Sequence, residues 1–265
     1  MHSNEKIKTN YYTNKSMENK NNISRRDFIK YSSVATVGLA AGVLSATSCD
    51  NSNNISNKNM KVLLVNGSPR EKGCTFTALS EVASELEKNN VETTIFWLGI
   101  QPIASCRACV FCKNNDKCVI DDNVNSFVEK AKQYDGFVFG SPVHYASASG
   151  AMTAFLDRLF YSNAKIFSGK PGAAVVSCRR AGSTAALDQL NKYFPINNMP
   201  QVPSQYWCMV HGNTPDEVKQ DLEGLQIMRT LGMNMAWLLK CIEAGKKTGI
   251  ELPKYEERQR TNFIR

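Results

Sequence analysis

The chain has 265 residues, 32 Lys+Arg against 24 Asp+Glu for a net charge of +8, and it is 42% hydrophobic and 21% charged. That length predicts one or two domains, and that balance is enough to bury a full core, which excludes a disordered, fibrous or supercharged chain. Residues 1–59 hold eight basic and four acidic side chains, half of the excess charge, and the +4 left over is spread too thinly for a nucleic-acid footprint, so no nucleic-acid partner is expected.

Residues 1–23 are rich in Asn, Lys, Ser and Thr with almost nothing able to pack, and read as disordered. Next come Ser24-Arg25-Arg26-Asp27-Phe28-Ile29-Lys30 and an uncharged, moderately apolar run over 31–46. A charged region followed by an apolar stretch is the order of a signal peptide, and the paired arginines before Phe28 resemble the twin-arginine export signal. The run is shorter than the roughly 20 strongly apolar residues a membrane span needs, and Ser, Thr, Gly and Ala dilute it. The alternative is an uncleaved amphipathic or anchoring helix. Ala46-Thr47-Ser48-Cys49 resembles a lipoprotein processing site, with Ala where Leu is usual; either Cys49 is lipidated as a membrane tether or the chain is simply cleaved near Ala46. Residues 50–59 read as a polar linker. The expected organisation is an N-terminal signal and linker over 1–59 and a folded domain over 60–265, with the mature protein in the periplasm or cell envelope.

From Met60 the pattern changes. Lys61-Val62-Leu63-Leu64-Val65 is a continuous apolar run ending at Asn66-Gly67-Ser68-Pro69, as expected of a buried parallel strand entering a turn. Phe76, Leu79, Val82, Ala83 and Leu86 recur at helical spacing. Strands are predicted over 93–98 and 136–139, a helix carrying Met152, Phe155, Leu156 and Leu159 follows, then a strand over 173–176, a helix over 183–194, a strand over 206–210 and a long helix over 216–244. Alternating strands and helices predict an α/β fold with a parallel sheet covered on both faces, whose ligands bind beyond the carboxyl ends of the strands.

Three loops lie at that edge. Gly67-Ser68-Pro69-Arg70-Glu71-Lys72-Gly73-Cys74-Thr75-Phe76-Thr77 offers hydroxyls, an arginine and helix N-terminal amides suited to a phosphate, although Thr75 as a simple helix cap is the alternative. It is neither a Walker A nor a Gly-x-Gly-x-x-Gly turn, which disfavours a triphosphate or dinucleotide site. The loop over 141–150 carries Pro142, Val143, His144 and Tyr145, suited to stacking on a planar ring; His144 is either a proton donor or a packing residue, and no catalytic role is assigned beyond His144 and Tyr145 as candidates. The third loop, Ser177-Cys178-Arg179-Arg180-Ala181-Gly182-Ser183, offers positive charge and amides to a ring that becomes anionic on reduction.

Nine cysteines are an odd number that cannot all pair, and four fall within Cys106-x2-Cys109-x2-Cys112-x5-Cys118, with Asp121-Asp122 opening a helix beyond. Four thiolates this close can surround one four-iron cube; a tetrahedral zinc ion, or free thiols and disulfides in an oxidising exterior, are the alternatives. Cys178, Cys208 and Cys241 are expected to be buried apolar residues. Met228, Leu231, Met235 and residues 236–239 form an apolar helical face for packing on the domain or on a dimer partner.

Asn66-Gly67-Ser68-Pro69-Arg70, Ser141-Pro142-Val143 followed by Ala154-Phe155-Leu156-Asp157-Arg158, and Gly169-Lys170-Pro171-Gly172 together resemble the flavodoxin-like, NADPH-dependent FMN reductase family over essentially residues 60–265. The resemblance implies a doubly wound, five-stranded parallel sheet with FMN. It implies that Ser68, Arg70, Thr75 and Thr77 hold the phosphate, that Pro142, Val143, His144 and Tyr145 line the ring, and that Arg179, Arg180 and Gly182 close its other side. Relatives usually carry Asn where Cys74 stands and Tyr where His144 stands. The cysteine spacing resembles the compact motif of the iron-sulfur flavoprotein branch, which implies one [4Fe-4S] cluster on Cys106, Cys109, Cys112 and Cys118, passing electrons to FMN, and a homodimer. The expected function is therefore an exported FMN oxidoreductase of iron-sulfur flavoprotein type. NAD(P)H is the family's donor; after export, a membrane quinol or another redox protein takes that place, and the expected partners are a redox partner protein or a quinone. The rivals are a cluster-free NAD(P)H:quinone or FMN reductase, a non-enzymatic flavodoxin-like electron carrier, and a non-redox binding lipoprotein.

Overall fold

The computed structural model describes residues 59–257 together with 259, 261 and 263. The twin-arginine segment, Cys49 and the linker up to Lys58 lie outside the described residues. Among the described residues no helix is long and apolar enough to cross a membrane.

The sheet is built from β1 (Lys61–Asn66), β2 (Glu92–Trp97), β3 (Gly136–His144), β5 (Gly172–Cys178) and β6 (Met209–His211), with the two-residue β4 (Ser147–Ala148) turned back antiparallel on the end of β3. The parallel order is β2-β1-β3-β5-β6. That is the flavodoxin order, and the sequence in which strands are added to the sheet reverses between β1 and β3, where such sheets open a ligand crevice. The central strands are the ones the sequence makes continuously apolar: β5 is buried throughout, β1 from Val62 onward, and β3 through Ser141. β2 lies at the edge and is only partly covered, which fits its mixed Glu92-Thr93-Thr94 composition.

Helices α1 (Cys74–Lys88), α2 (Cys112–Asn115), α3 (Asn123–Ala131), α4 (Gly150–Asn163), α5 (Ser183–Asn191), α6 (Tyr193–Ile196), α7 (Pro215–Gln220) and α8 (Leu222–Lys247) fill the connections. Edge-to-face rings knit them to the sheet, with Phe96, Phe127 and Phe155 about 5 Å apart in one string and Phe137, Phe167 and Phe160 in another.

Three expectations are corrected. The last strand begins at Met209 rather than 206, because Tyr206 and Trp207 pack against each other with tilted rings at the surface, each more than half exposed. The long helix over 216–244 is two helices. Asp221 breaks it with ψ 76°, and its carboxylate caps the new helix by accepting from the Gly224 N–H at 2.9 Å while also accepting from the His211 N–H at 2.7 Å. Cys241 is exposed on α8, whereas Cys178 and Cys208 are buried, and burial pushes the Cys208 thiol up to about 12. On the predicted apolar face of α8, Met228, Leu231 and Met235 are buried but Trp237 is 67% exposed.

Candidate functional site

The loop after β1 is shaped by the buried Asn66. Its Oδ1 accepts from the Ser68 N–H at 3.1 Å and its Nδ2 donates to the Glu71 carbonyl at 2.8 Å, an Asx turn that folds the loop over its own side chain. Ser68 Oγ then accepts from the Arg70 N–H at 3.1 Å, and the indole of Trp97 donates to the Ser68 carbonyl at 2.8 Å. Gly67 donates to the Gly140 carbonyl of β3 at 2.8 Å; a Cβ on Gly67 would stand 3.1 Å from that oxygen and 2.6 Å from Met152, so only glycine fits here. The Ser149 hydroxyl donates to the Gly67 carbonyl and caps α4.

Helix α1 starts at Gly73 with no side-chain cap. Its first-turn amides are therefore open at the cleft, the arrangement that attracts an anion. Thr75 does not cap the helix: its hydroxyl is fully buried and shares a 2.8 Å hydrogen bond with Ser177 of β5, joining two cleft walls. Thr77 donates its hydroxyl to the Gly73 carbonyl and is not part of the cleft lining.

The cleft has a volume of about 260 Å³. Of the predicted residues it brings together Ser68, Arg70, Thr75, Pro142, Val143, His144 and Arg179; Thr77, Tyr145, Arg180 and Gly182 are outside its lining. It adds Pro69, Ser177, Cys178, Gly212 and Asn213, which the sequence pattern did not mark as ligand contacts, and it includes Cys74, which stands where relatives usually carry Asn. Burial raises the thiols of both Cys74 and Cys178, although Arg70 pulls in the other direction on Cys74.

Tyr145 and Ala146 explain part of that difference. Val143 pairs with Ala148 and His144 with Ser147, so Tyr145-Ala146 is a two-residue hairpin turn with φ 49° and 60°. Both residues sit in the left-handed region that such turns normally give to Asn-Gly, at a cost of about 1–2 kcal/mol each. The Tyr145 ring points fully into solvent. Gly182, with φ +92°, seats this tip: a Cβ there would come within 2.5 Å of Ala146 Cα. Gln189 on α5 holds the hairpin by accepting from Ser147 Oγ at 2.6 Å and from the Ala148 N–H at 3.0 Å.

A second site lies between the loop after β2 and α4. Cys106, Cys109, Cys112 and Cys118 line one small pocket with Val110, Ile120, Arg158 and Tyr161. The loop backbone is bent at three non-glycine residues of positive φ, Ala108 (51°), Val110 (53°) and Asp116 (48°), and for the β-branched Val110 this conformation is strained. Such alternations turn N–H groups to one side and form concavities suited to anionic clusters. The fit to a metal group has two parts. The donor set of four thiols facing one pocket suits an iron-sulfur cube. Among the described residues, however, no three Cys, His, Asp or Glu side chains are gathered closely enough to hold one metal ion.

The floor of this pocket is Arg158 of α4, whose side chain has no exposed surface. Its Nε donates to Cys118 Sγ at 3.3 Å, and its two terminal nitrogens form a fork on Asp122 at 2.5 and 2.8 Å. They also donate to the carbonyls of Ala104 (3.4 Å) and Ile120 (2.9 Å). Burial alone would raise the Asp122 carboxyl, but hydrogen bonds from Arg158 and from the Val124 amide outweigh it and leave the group below the usual aspartate range. Burial likewise opposes the charge on Arg158, and the bonds to Asp122 and Cys118 reverse that effect and raise it. In the sequence Arg158 stands out only as the last residue of Ala154-Phe155-Leu156-Asp157-Arg158. The available signal was a lone arginine three residues after Phe155 on an otherwise apolar helix face.

Comparison with known proteins places these features in context. The family described as NADPH-dependent FMN reductase matches residues 60–214. An iron-sulfur flavoprotein of Methanocaldococcus jannaschii is 30% identical over 192 residues, spanning 69% of this chain and all of that protein. An iron-sulfur flavoprotein of Methanosarcina thermophila is 27% identical, spanning 71% of this chain and 99% of that protein. Among solved structures, RosB with a bound 8-demethyl-8-formylriboflavin-5'-phosphate intermediate shares the fold at TM-score 0.55 and 15% identity, covering 78% of this chain and 94% of that one. An NAD(P)H:quinone oxidoreductase from Methanothermobacter marburgensis does so at TM-score 0.52 and 14% identity, covering 67% and 97%.

Proposed function

Because the chain belongs to the NADPH-dependent FMN reductase family, and is thus an FMN-dependent oxidoreductase, we propose that it is an exported iron-sulfur flavoprotein that exchanges electrons between FMN and a four-iron cluster. The observation that carries this reading is the meeting of four thiols in one pocket of a chain that also presents an uncapped helix at the switch point of its sheet.

Bound FMN supplies two-electron and one-electron chemistry, and a cluster supplies single-electron steps. The chain's own residues do the rest. Ser68, Arg70 and the first-turn amides of α1 take the phosphate, with Thr75 and Ser177 fixing the wall behind it. Pro142 and Val143 provide an apolar seat for the ring beside His144, and Arg179 places positive charge where reduction leaves a negative one. Cys106, Cys109, Cys112 and Cys118 are the ligands of the cluster.

The twin-arginine pattern at residues 24–30 supports export to the periplasm or cell envelope, and the small residues before Cys49 support a lipid tether. NAD(P)H is not expected outside the cytoplasm, so the electron donor is a quinol or a redox partner protein, and the working unit is a homodimer. One observation favours a second reading: the four thiols are not drawn to single-ion spacing, as in a cluster-free reductase whose cysteines are thiols.

Anaerobic purification with iron, sulfide and FMN determination separates the two. The first reading predicts about four irons and one FMN per chain, with broad absorbance near roughly 400 nm that bleaches on reduction. FMN without iron selects the second. Steady oxidation of added NADPH at the rate of cytoplasmic family members would contradict the quinol or protein donor.

A further inference from the structure

We propose that Arg158 is a positioning residue that sets the reduction potential of the group on the four cysteines, acting through Cys118 Sγ with Asp122 as its counter-charge; this rests on the cluster reading given above. Every donor of the buried guanidinium is committed. The fork engages Asp122, the remaining capacity of its terminal nitrogens goes to the carbonyls of Ala104 and Ile120, and the single Nε–H is aimed at the sulfur at 3.3 Å. The two carbonyls lie on either side of the 106–118 segment, so the same side chain that holds the loop in place also touches one of its sulfurs.

A charged donor on a thiolate draws electron density from it, and the complete burial of the Arg158 side chain strengthens that interaction. Hydrogen bonds to cluster sulfurs and the net charge around them are among the levers that set cluster potentials. Arg158 favours the reduced, more negative state, and Asp122 opposes it. An arginine that served only to anchor the loop would need the fork and the carbonyls, not the sulfur.

The two partners of one ion pair therefore have opposite effects on potential, which a purely structural bridge would not give. The experiment is a potentiometric titration of anaerobically purified holoprotein, followed by the electron paramagnetic resonance of the reduced cluster, for wild type, Arg158→Gln, Arg158→Lys and Asp122→Asn. FMN content of one per chain verifies the fold of each.

Arg158→Gln is expected to lower the midpoint by at least a tenfold change in the one-electron equilibrium, about 59 mV. Asp122→Asn is expected to raise it, and Arg158→Lys to fall between wild type and Arg158→Gln. Shifts of the same sign at both positions, or no shift, overturn the proposal. If Arg158→Gln does not retain iron, the sign of the Asp122→Asn shift decides, a rise supporting and a fall or no change overturning. Loss of iron from all three variants with FMN retained also overturns it, leaving Arg158 as a loop anchor. Wild-type protein with FMN but no iron fails differently: it removes the cluster reading itself, and this inference with it.

Discussion

The flavin-side cleft and the cysteine pocket are assembled by different means. The cleft is the rim of the sheet: Gly67 is bonded to Gly140, Thr75 to Ser177, and the strands beneath are buried. Its geometry is inherited from the core, and a ligand finds it already formed. The cysteine pocket hangs on an irregular loop with three left-handed non-glycine residues, and its ties to the rest of the molecule run through a few side chains, the buried Arg158 with Asp122 and Asn125, which bonds the Cys118 N–H and carbonyl. A site made from a core is distributed over many contacts, whereas a site made from a loop depends on few, so the two should fail separately.

The largest expected effect tests the loop side. Arg158→Ala removes one partner of a buried pair and should cost about 3–5 kcal/mol by chemical denaturation. Iron content should fall with it, while FMN affinity of the folded protein changes by no more than about twofold. An equal loss of FMN would break the comparison.

The converse test is Gly182→Ala, which forces a residue with a side chain to φ +92° and against Ala146 Cα. A penalty on the order of 2 kcal/mol is expected, expressed as weaker FMN binding with iron retained. Smaller again is Thr75→Val, which leaves the Ser177 hydroxyl buried without its partner. It should cost about 1–3 kcal/mol and weaken FMN, read by fluorescence titration.

The smallest effect is a pH dependence confined to the loop. The Asp122 carboxyl is lower in the folded chain than its ordinary value of about 3.9, so its contribution is fully present above that value and is lost as pH falls through the lower folded one. The urea midpoint should stay flat in this respect from pH 7 to about 4.5 and drop below about 3.9, and Asp122→Asn should flatten the drop.

The same contrast governs what the sequence disclosed. β1, β3 and β5 were legible because central parallel strands are continuous apolar runs, and the loops after them followed from strand polarity. The start of β6 was not, since Tyr206 and Trp207 read as strand residues but stand at the surface. Neither was the break at Asp221, whose capping bonds reach Gly224 and His211 rather than any feature visible in helical periodicity. Partner choice across long separations was hidden altogether: Thr75 and Ser177 are 102 residues apart, and Arg158 lies 40 from Cys118. The four cysteines announced themselves by spacing, yet the arginine beneath them carries no local signature beyond its place on an apolar face.

The most direct test of a two-site redox protein is to count iron and FMN in anaerobically purified wild type and in a Cys112→Ser, Cys118→Ser double variant. The prediction is about four irons and one FMN in the wild type, and no iron with FMN still near one per chain in the variant. Wild-type protein with FMN and no iron, or a variant that loses FMN together with iron, would contradict it.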